Sequence, residues 1–289
     1  MADLLYGKPV VERIASDLHP RIEALNEVGV KPTLALVRVG ERADDLAYER
    51  TAVRRADALG VGIRSFALDE FVPQAALESV LHEVNHDESI NGCLMFRPLP
   101  SFLDEAAVCE VLDPAKDVDG ITLASLAAVF ADGSAGFPPS TAAACVELLE
   151  HYHVPLVGKH VVVVGRSLVI GKPVSMMLLH RNASVTICHS RTENLAAICR
   201  SADIVICATG RAKAFGADCF RAGQTVLDVG INFDTHGQLC GDVDFDAVAP
   251  LVDAITPVPR GLGTVTTSMT MAHVVQAAER TLARAGTLG

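Results

Sequence analysis

The chain has 289 residues, of which half are apolar and a fifth charged, so it can bury a large core and is not a disordered polymer. Its 35 acidic residues against 24 basic give a formal net charge of -11, and the Lys and Arg are scattered, which excludes a nucleic-acid or anionic-membrane surface and leaves a small-molecule partner. No apolar run approaches the roughly 20 residues that span a bilayer, and Met1 to Gly7 lack the basic and apolar regions of a signal peptide, so the expected setting is soluble and cytoplasmic.

Apolar runs of strand length alternate with segments of helical period. Strand Thr33 to Val39 is followed by helix Asp44 to Leu59, strand Ile63 to Leu68, helix Pro73 to Val84 and strand Gly92 to Phe96. This rhythm predicts a parallel sheet covered by helices. A polar, small-residue stretch, Ala131 to Pro139, follows a short helical segment and marks a domain boundary. Ser140 and Thr141 then cap a helix reaching about Tyr152. The alternation resumes with strand His160 to Val164, helix Gly171 to His180, strand Ser184 to Cys188, helix Asn194 to Ser201, and strands Ile204 to Ala208 and Thr225 to Asp228. A last helix covers about Thr267 to Ala285, with Met271, Val274, Val275, Ala278 and Leu282 on one face. Eight cysteines are spread along the chain without a C-x-x-C pair, which reads as buried, reduced thiols. The histidines show no ligand spacing either, and no metal site is expected.

The turn after Val161 to Val164 runs from Gly165 through Arg166 and Ser167 to Gly171, Lys172 and Pro173 before a helix begins. Glycines at both ends let a backbone approach a pyrophosphate, and the helix N-terminus offers N–H donors and a favourable dipole. The spacing is not G-x-G-x-x-G, and any tight strand-to-helix connection uses similar glycines. The next strand ends in His189, Ser190, Arg191 and Thr192, where this fold meets the adenosine ribose. An acidic residue there would accept from a free 2′-hydroxyl, whereas hydroxyls and an Arg suit a 2′-phosphate. Arg166, Ser190 and Arg191 therefore tilt the choice to NADP, although each Arg also reads as a solvated loop residue.

Seven motifs occur in order: Lys116 to Gly120, the Gly165 to Pro173 turn, Cys188 to Thr192, Ala208 to Gly210, Asp228 to Asn232, Gly241 to Val243, and Ile255 to Pro259. Together they resemble the bifunctional methylenetetrahydrofolate dehydrogenase and methenyltetrahydrofolate cyclohydrolase family of the FolD type, over nearly the whole chain. The resemblance implies a two-domain α/β fold with a cleft between the domains. Residues 1–139, completed by a C-terminal helix over 266–289, would bind the folate, and residues 140–265 would form a Rossmann-like parallel sheet for NADP. It implies a homodimer, a tetrahydrofolate derivative as substrate, and Thr209, Gly210 and Ile231 as cofactor contacts beside Gly165, Arg166, Ser167, Gly171, Ser190 and Arg191.

The folate side departs from the pattern. In the family a catalytic Lys follows a Tyr by four positions; here Tyr48 stands in place and the fourth residue after it is Ala52. A Lys there would activate the water that attacks the methenyl carbon, which alanine cannot do. The family's Gln before Pro-Leu-Pro is replaced at Phe96, its Pro-Cys-Thr-Pro loop reads Pro139-Ser140-Thr141-Ala142, and its Pro-Gly-Gly-Val-Gly-Pro turn reads Pro259 to Thr264 with Arg260 at the second place. The positions expected to act on substrate are Asp119, whose carboxylate pairs with the pterin ring in the family, and Tyr48. Without the family match, Asp119 reads as a turn carboxylate and Tyr48 as a core aromatic. Three functions remain open at this stage: a dehydrogenase with weak or lost cyclohydrolase, a bifunctional enzyme in which Arg54, Arg55 or Arg97 replaces the Lys, and a non-catalytic or substrate-shifted paralogue.

Overall fold

The structure, a computed structural model, describes residues 2–287, so the last two positions of the expected C-terminal helix lie outside the described residues. The elements run, in chain order, β1 (Asp3–Leu4), α1 (Gly7–Glu27), β2 (Thr33–Val39), α2 (Ala43–Leu59), β3 (Gly62–Leu68), α3 (Gln74–His86), β4 (Gly92–Met95), α4 (Glu105–Cys109), α5 (Leu123–Ala131) and α6 (Ser140–His151). They continue β5 (His160–Val164), α7 (Gly171–His180), β6 (Ser184–Cys188), α8 (Leu195–Ser201), β7 (Ile204–Cys207), β8 (Thr225–Asp228), β9 (Asn232–Phe233), β10 (Leu239–Cys240), α9 (Phe245–Val248), β11 (Ala254–Ile255) and α10 (Thr266–Thr287). Among the described residues no helix is long and apolar enough to cross a membrane.

The chain forms two compact units. One holds residues 13–140 and 267–287, the other residues 2–12 and 141–266. In the first, β3, β2 and β4 make a parallel three-stranded sheet in that order. Ala35, Val37, Leu77, Leu81, Val84 and Val108 form its buried core. In the second, six parallel strands lie in the order β1-β11-β8-β7-β5-β6. Val161 to Val164 are wholly buried, as a central parallel strand covered on both faces requires. The order reverses between β5 and β7, because β6 lies to one side of β5 and β7 to the other. Ligands of open α/β sheets bind at such a switch, outside the carboxyl ends of the strands.

The first twelve residues belong with the six-stranded unit, because β1 adds to its edge through Asp3↔Ala254 and Leu4↔Ile255. Asn194, expected as the first residue of a helix, is instead its left-handed cap with φ 53°.

Candidate functional site

In the three-stranded unit, the site grows from the loops that follow β4 and α4 and from helices α2 and α10. Asp117 is fully buried and holds the following turn together, accepting from the N–H groups of Ile121 (2.9 Å) and Thr122 (2.8 Å) and from the Thr122 hydroxyl (2.7 Å). Lys116 anchors the near side, its ammonium donating to the carbonyls of Val84 and Asp87 at 2.7 Å each. Asp119, two residues on, is thereby fixed in place. Burial pushes its carboxyl up to about 6 against the pull of hydrogen bonds from Ser140 and the nearby Arg97 guanidinium.

Tyr48 lies half-buried on α2, its ring edge-on to Phe96 with centroids 6.0 Å apart. Burial, with Asp119 close by, holds the phenol well above its usual range against the opposing pull of Thr267 and Thr270 of α10, so it stays protonated. The structure thus brings Tyr48 and Asp119 into one electrostatic neighbourhood. Ala52 is completely buried. Of the three arginines considered for the missing cation, Arg54 is exposed. Arg55 has a buried Nε without a hydrogen-bond partner among the described residues, and only Arg97 acts on Asp119. Arg97 also pairs with Glu105 at 3.5 Å.

In the six-stranded unit, the nine expected cofactor residues all follow the carboxyl ends of strands. Gly165, Arg166, Ser167 and Gly171 form the β5–α7 turn, Ser190 and Arg191 follow β6, Thr209 and Gly210 follow β7, and Ile231 follows β8. Gly165 has φ 140°, and a Cβ there would overlap the Ala208 carbonyl oxygen, so only glycine allows the turn. The Ser167 hydroxyl accepts from Ile170 N–H at 3.2 Å, and the Lys172 N–H donates to the Ser167 carbonyl at 3.1 Å, closing the turn onto the start of α7. Arg166 and Arg191 are exposed, and neither guanidinium is paired with a carboxylate among the described residues. The ten-residue α7 with its N–H donors, the glycine turn and two free cations fit a dinucleotide carrying a 2′-phosphate.

The sequence reading missed the carboxylates that hold these loops. Asp242, fully buried, accepts from the Thr209 N–H and hydroxyl, from Gly210 N–H (3.1 Å), from Arg211 N–H (2.9 Å) and from the Asn232 amide (2.9 Å). Asp228 accepts from the N–H groups of Gly230 (3.1 Å), Asp242 (2.9 Å) and Val243 (2.9 Å), and burial pushes its carboxyl up to about 7. Gly241 passes so close to Asp228 that any side chain would collide with the carboxylate. Beside this pair, Gly230, Ile231, Pro257 and Arg260 line a cavity of about 210 Å³. The only sequence signal for the pair was glycine beside aspartate in Asp228-Val229-Gly230 and Gly241-Asp242-Val243.

Two family profiles match this chain: "Tetrahydrofolate dehydrogenase/cyclohydrolase, catalytic domain" over residues 5–119, and "Tetrahydrofolate dehydrogenase/cyclohydrolase, NAD(P)-binding domain" over residues 139–282. The bifunctional protein FolD of Carboxydothermus hydrogenoformans is 47% identical over 281 residues, covering 96% of this chain and 98% of that protein. The crystal structure of the bifunctional FolD of Campylobacter jejuni superimposes with a TM-score of 0.94 at 32% identity, covering 97% of this chain and 99% of that one. The Trypanosoma brucei dehydrogenase-cyclohydrolase, solved with NADP and an inhibitor, gives a TM-score of 0.92 at 32% identity, covering 97% and 98%.

Proposed function

The chain belongs to the tetrahydrofolate dehydrogenase/cyclohydrolase family, and on that premise we propose that it oxidises 5,10-methylenetetrahydrofolate to the 5,10-methenyl form with NADP and then hydrolyses that product. The observation that carries the reading is the Asp119 carboxylate, held beside the Tyr48 hydroxyl and the Arg97 guanidinium. An ionised carboxylate accepting two parallel N–H bonds from the amidine edge of a pterin fixes the ring's position and face. Tyr48 and Phe96 supply aromatic surface next to it.

NADP, when bound, accepts the hydride at its nicotinamide ring. The protein's part is to hold the pyrophosphate at the start of α7, the 2′-phosphate between Arg166, Ser190 and Arg191, and the nicotinamide end by the loops that Asp242 and Asp228 fix, near Thr209, Gly210 and Ile231. Hydride transfer from the methylene carbon asks for alignment more than for acid-base groups. Hydrolysis asks for an oriented water and stabilised charge. We assign the orienting of that water to Arg97, the cation that acts on Asp119, and the names of the relatives support retention of this second activity. A homodimer, implied by the resemblance, completes the proposal and is tested by light scattering.

One observation favours a second reading, a dehydrogenase without useful cyclohydrolase. Ala52 is buried with no cation in the place of the family's Lys, and an Arg never deprotonates to take a proton from water. The deciding experiment follows reduced cofactor and methenyltetrahydrofolate together by absorbance. Bifunctionality requires hydrolysis of added methenyltetrahydrofolate well above the buffer rate; accumulation of that product, with NADPH still forming, selects the second reading. No NADPH from methylenetetrahydrofolate sinks both.

A further inference from the structure

The segment after β4 carries Phe96 and Arg97 and then runs Pro98-Leu99-Pro100. A proline has no backbone N–H, so Leu99 supplies the only main-chain donor of these three residues. That donor goes to the Glu105 carboxylate, which accepts it through Oε2 at 2.7 Å. The oxygen of the same peptide group, the Pro98 carbonyl, accepts from Arg42 Nη1 at 2.9 Å. One peptide plane is thus held between an anion on its N–H side and a cation on its C=O side, and both bonds are charge-assisted. The cation is backed by Asp45, whose side chain is only 10% exposed and lies 3.9 Å from Arg42 Nε. Arg42 is the N-cap of α2, so the clamp ties the helix that carries Tyr48 to the segment that carries Arg97. On the other side, Glu105 opens α4, and that end is fixed in turn. The Asp104 N–H donates to Gln74 Oε1 at 3.0 Å, and the Asp104 carboxylate accepts from Ala107 N–H at 3.1 Å. The second oxygen of Glu105, Oε1, accepts from Arg97 Nη1 at 3.5 Å.

We propose that Glu105, clamped on the Pro98–Leu99 peptide, is the positioning residue that aims Arg97 at the water which attacks the methenyl carbon. The proposal rests on the reading of Arg97 as the cation of the hydrolytic step, and it deepens that reading by naming what sets the cation's orientation. Exposed ion pairs contribute little, because two long side chains must be ordered for one contact. Here the ordering is already done: the 2.7 Å bond to Leu99 holds the carboxylate, and the Arg97 side chain is only 23% exposed. Among the described residues the contact engages one N–H of the guanidinium and leaves the rest of the fork for water and folate. An Arg never deprotonates, so Arg97 takes no proton in the step. The oxygen of water bonds to the methenyl carbon, one of its protons passes to solvent, and the other ends on the folate nitrogen whose bond to that carbon breaks. Arg97 holds the attacking oxygen in line, and a misplacement of about 1 Å in such a geometry costs about 10²-fold in rate.

Glu105→Gln separates the two contacts of the side chain. Its amide oxygen still accepts from Leu99 N–H, so the loop is kept, whereas its NH2 faces a guanidinium that can only donate, and Arg97 is released. Hydrolysis of added methenyltetrahydrofolate and NADPH formation from methylenetetrahydrofolate are followed by absorbance in wild type, Glu105→Gln, Arg97→Ala and the double variant. The kcat of hydrolysis should fall about tenfold in Glu105→Gln with KM little changed, and about 10²-fold in Arg97→Ala. The double variant should match Arg97→Ala, because a residue that acts through Arg97 has nothing left to act on. NADPH formation in the same samples reports that the protein is folded and its folate site intact; a merely loosened loop would raise KM in both half-reactions. Unchanged hydrolysis in Glu105→Gln overturns the proposal, as does a raised KM in both half-reactions or a double variant clearly slower than Arg97→Ala. Failure of the underlying reading looks different: Arg97→Ala would hydrolyse as fast as wild type, or wild type would form NADPH and hydrolyse nothing, and either result removes the proposal with it.

Discussion

Replacing Asp242 by asparagine keeps shape and removes charge at the point where three cofactor-side loops are tied together. Oδ2 serves the Thr209 N–H and hydroxyl and Gly210 N–H, while Oδ1 serves Arg211 N–H and the Asn232 amide. An asparagine oxygen can take over the first set, since three donors reward that orientation. Its NH2 then faces the other two donors. Asn232 can turn its amide and present oxygen instead, so Arg211 N–H is left as the one donor without a partner, at about 1–3 kcal/mol, and the three retained bonds each fall from charge-assisted to neutral strength. The sum is a loss of about 2–4 kcal/mol, a large share of the roughly 5–15 kcal/mol typical of folded domains. With the 209–211 turn loosened, NADP should bind about tenfold more weakly, a difference of roughly 1.4 kcal/mol, whereas tetrahydrofolate binding is spared. The chain has no tryptophan, so unfolding in urea is followed by far-UV circular dichroism, with calorimetry for NADP. A variant with the wild-type urea midpoint and unchanged NADP affinity would refute the idea that Asp242 holds the turn.

Arg191→Ala should lower the ratio of NADP to NAD specificity constants by about tenfold or more, the value of one charge-assisted phosphate contact; an unchanged ratio removes Arg191 from the 2′-phosphate site. Tetrahydrofolate binding needs Asp119 ionised, so affinity should be full about one pH unit above 6 and fall as pH drops through about 6, with Asp119→Asn weak at every pH. Because the folded Asp119 carboxyl titrates above its unfolded value, the native state holds a proton there between the ordinary carboxylate range and about 6 that the unfolded chain has released. Asp228 adds a contribution of the same sign and buried His273 one of the opposite sign, so the measurable outcome is a difference, and the stability of Asp119→Asn relative to wild type should rise as pH increases across that window in urea titrations. Ala52→Lys places an ammonium and its four-carbon stem at a position with no exposure and should destabilise the protein by about 2 kcal/mol or more, and a neutral urea midpoint would show that this face of α2 has room for the side chain.

The strands were the most legible part of the molecule. His160 to Val164, Ser184 to Cys188 and Thr225 to Asp228 read as strands from short runs rich in β-branched residues, and they are strands to the residue. Helix α1 went unread, although Val10, Ile14, Leu18, Ile22 and Leu25 repeat at helical spacing, because Gly7, Pro9 and Pro20 argue locally against a helix that the core nevertheless imposes. Strand β1 is two residues long and exists only through its pairing with β11, some 250 positions away. The same distance hid the supports of the site. Asp119 and Tyr48 stand in recognisable motifs, but Arg42 lies 56 residues from the Pro98 carbonyl it holds and carries no local pattern. Asp242 reaches back to Thr209 across 33 residues. Residues that touch a ligand must obey its chemistry and so leave a motif; residues that hold them need only a charged group of the right reach.

All eight cysteines are free and buried, and burial pushes every one of the thiols up from its ordinary range. Since the thiolate is the reacting species, the native protein should ignore alkylating reagents that its unfolded chain would consume at once. The cysteines therefore act as a clock for opening. Cys93 and Cys109 keep time for the three-stranded unit and the other six for the six-stranded unit, so pulsed alkylation read by mass spectrometry measures the separate opening of each unit without any label being added. NADP should slow the six-thiol clock, and a folate ligand should slow the two-thiol clock.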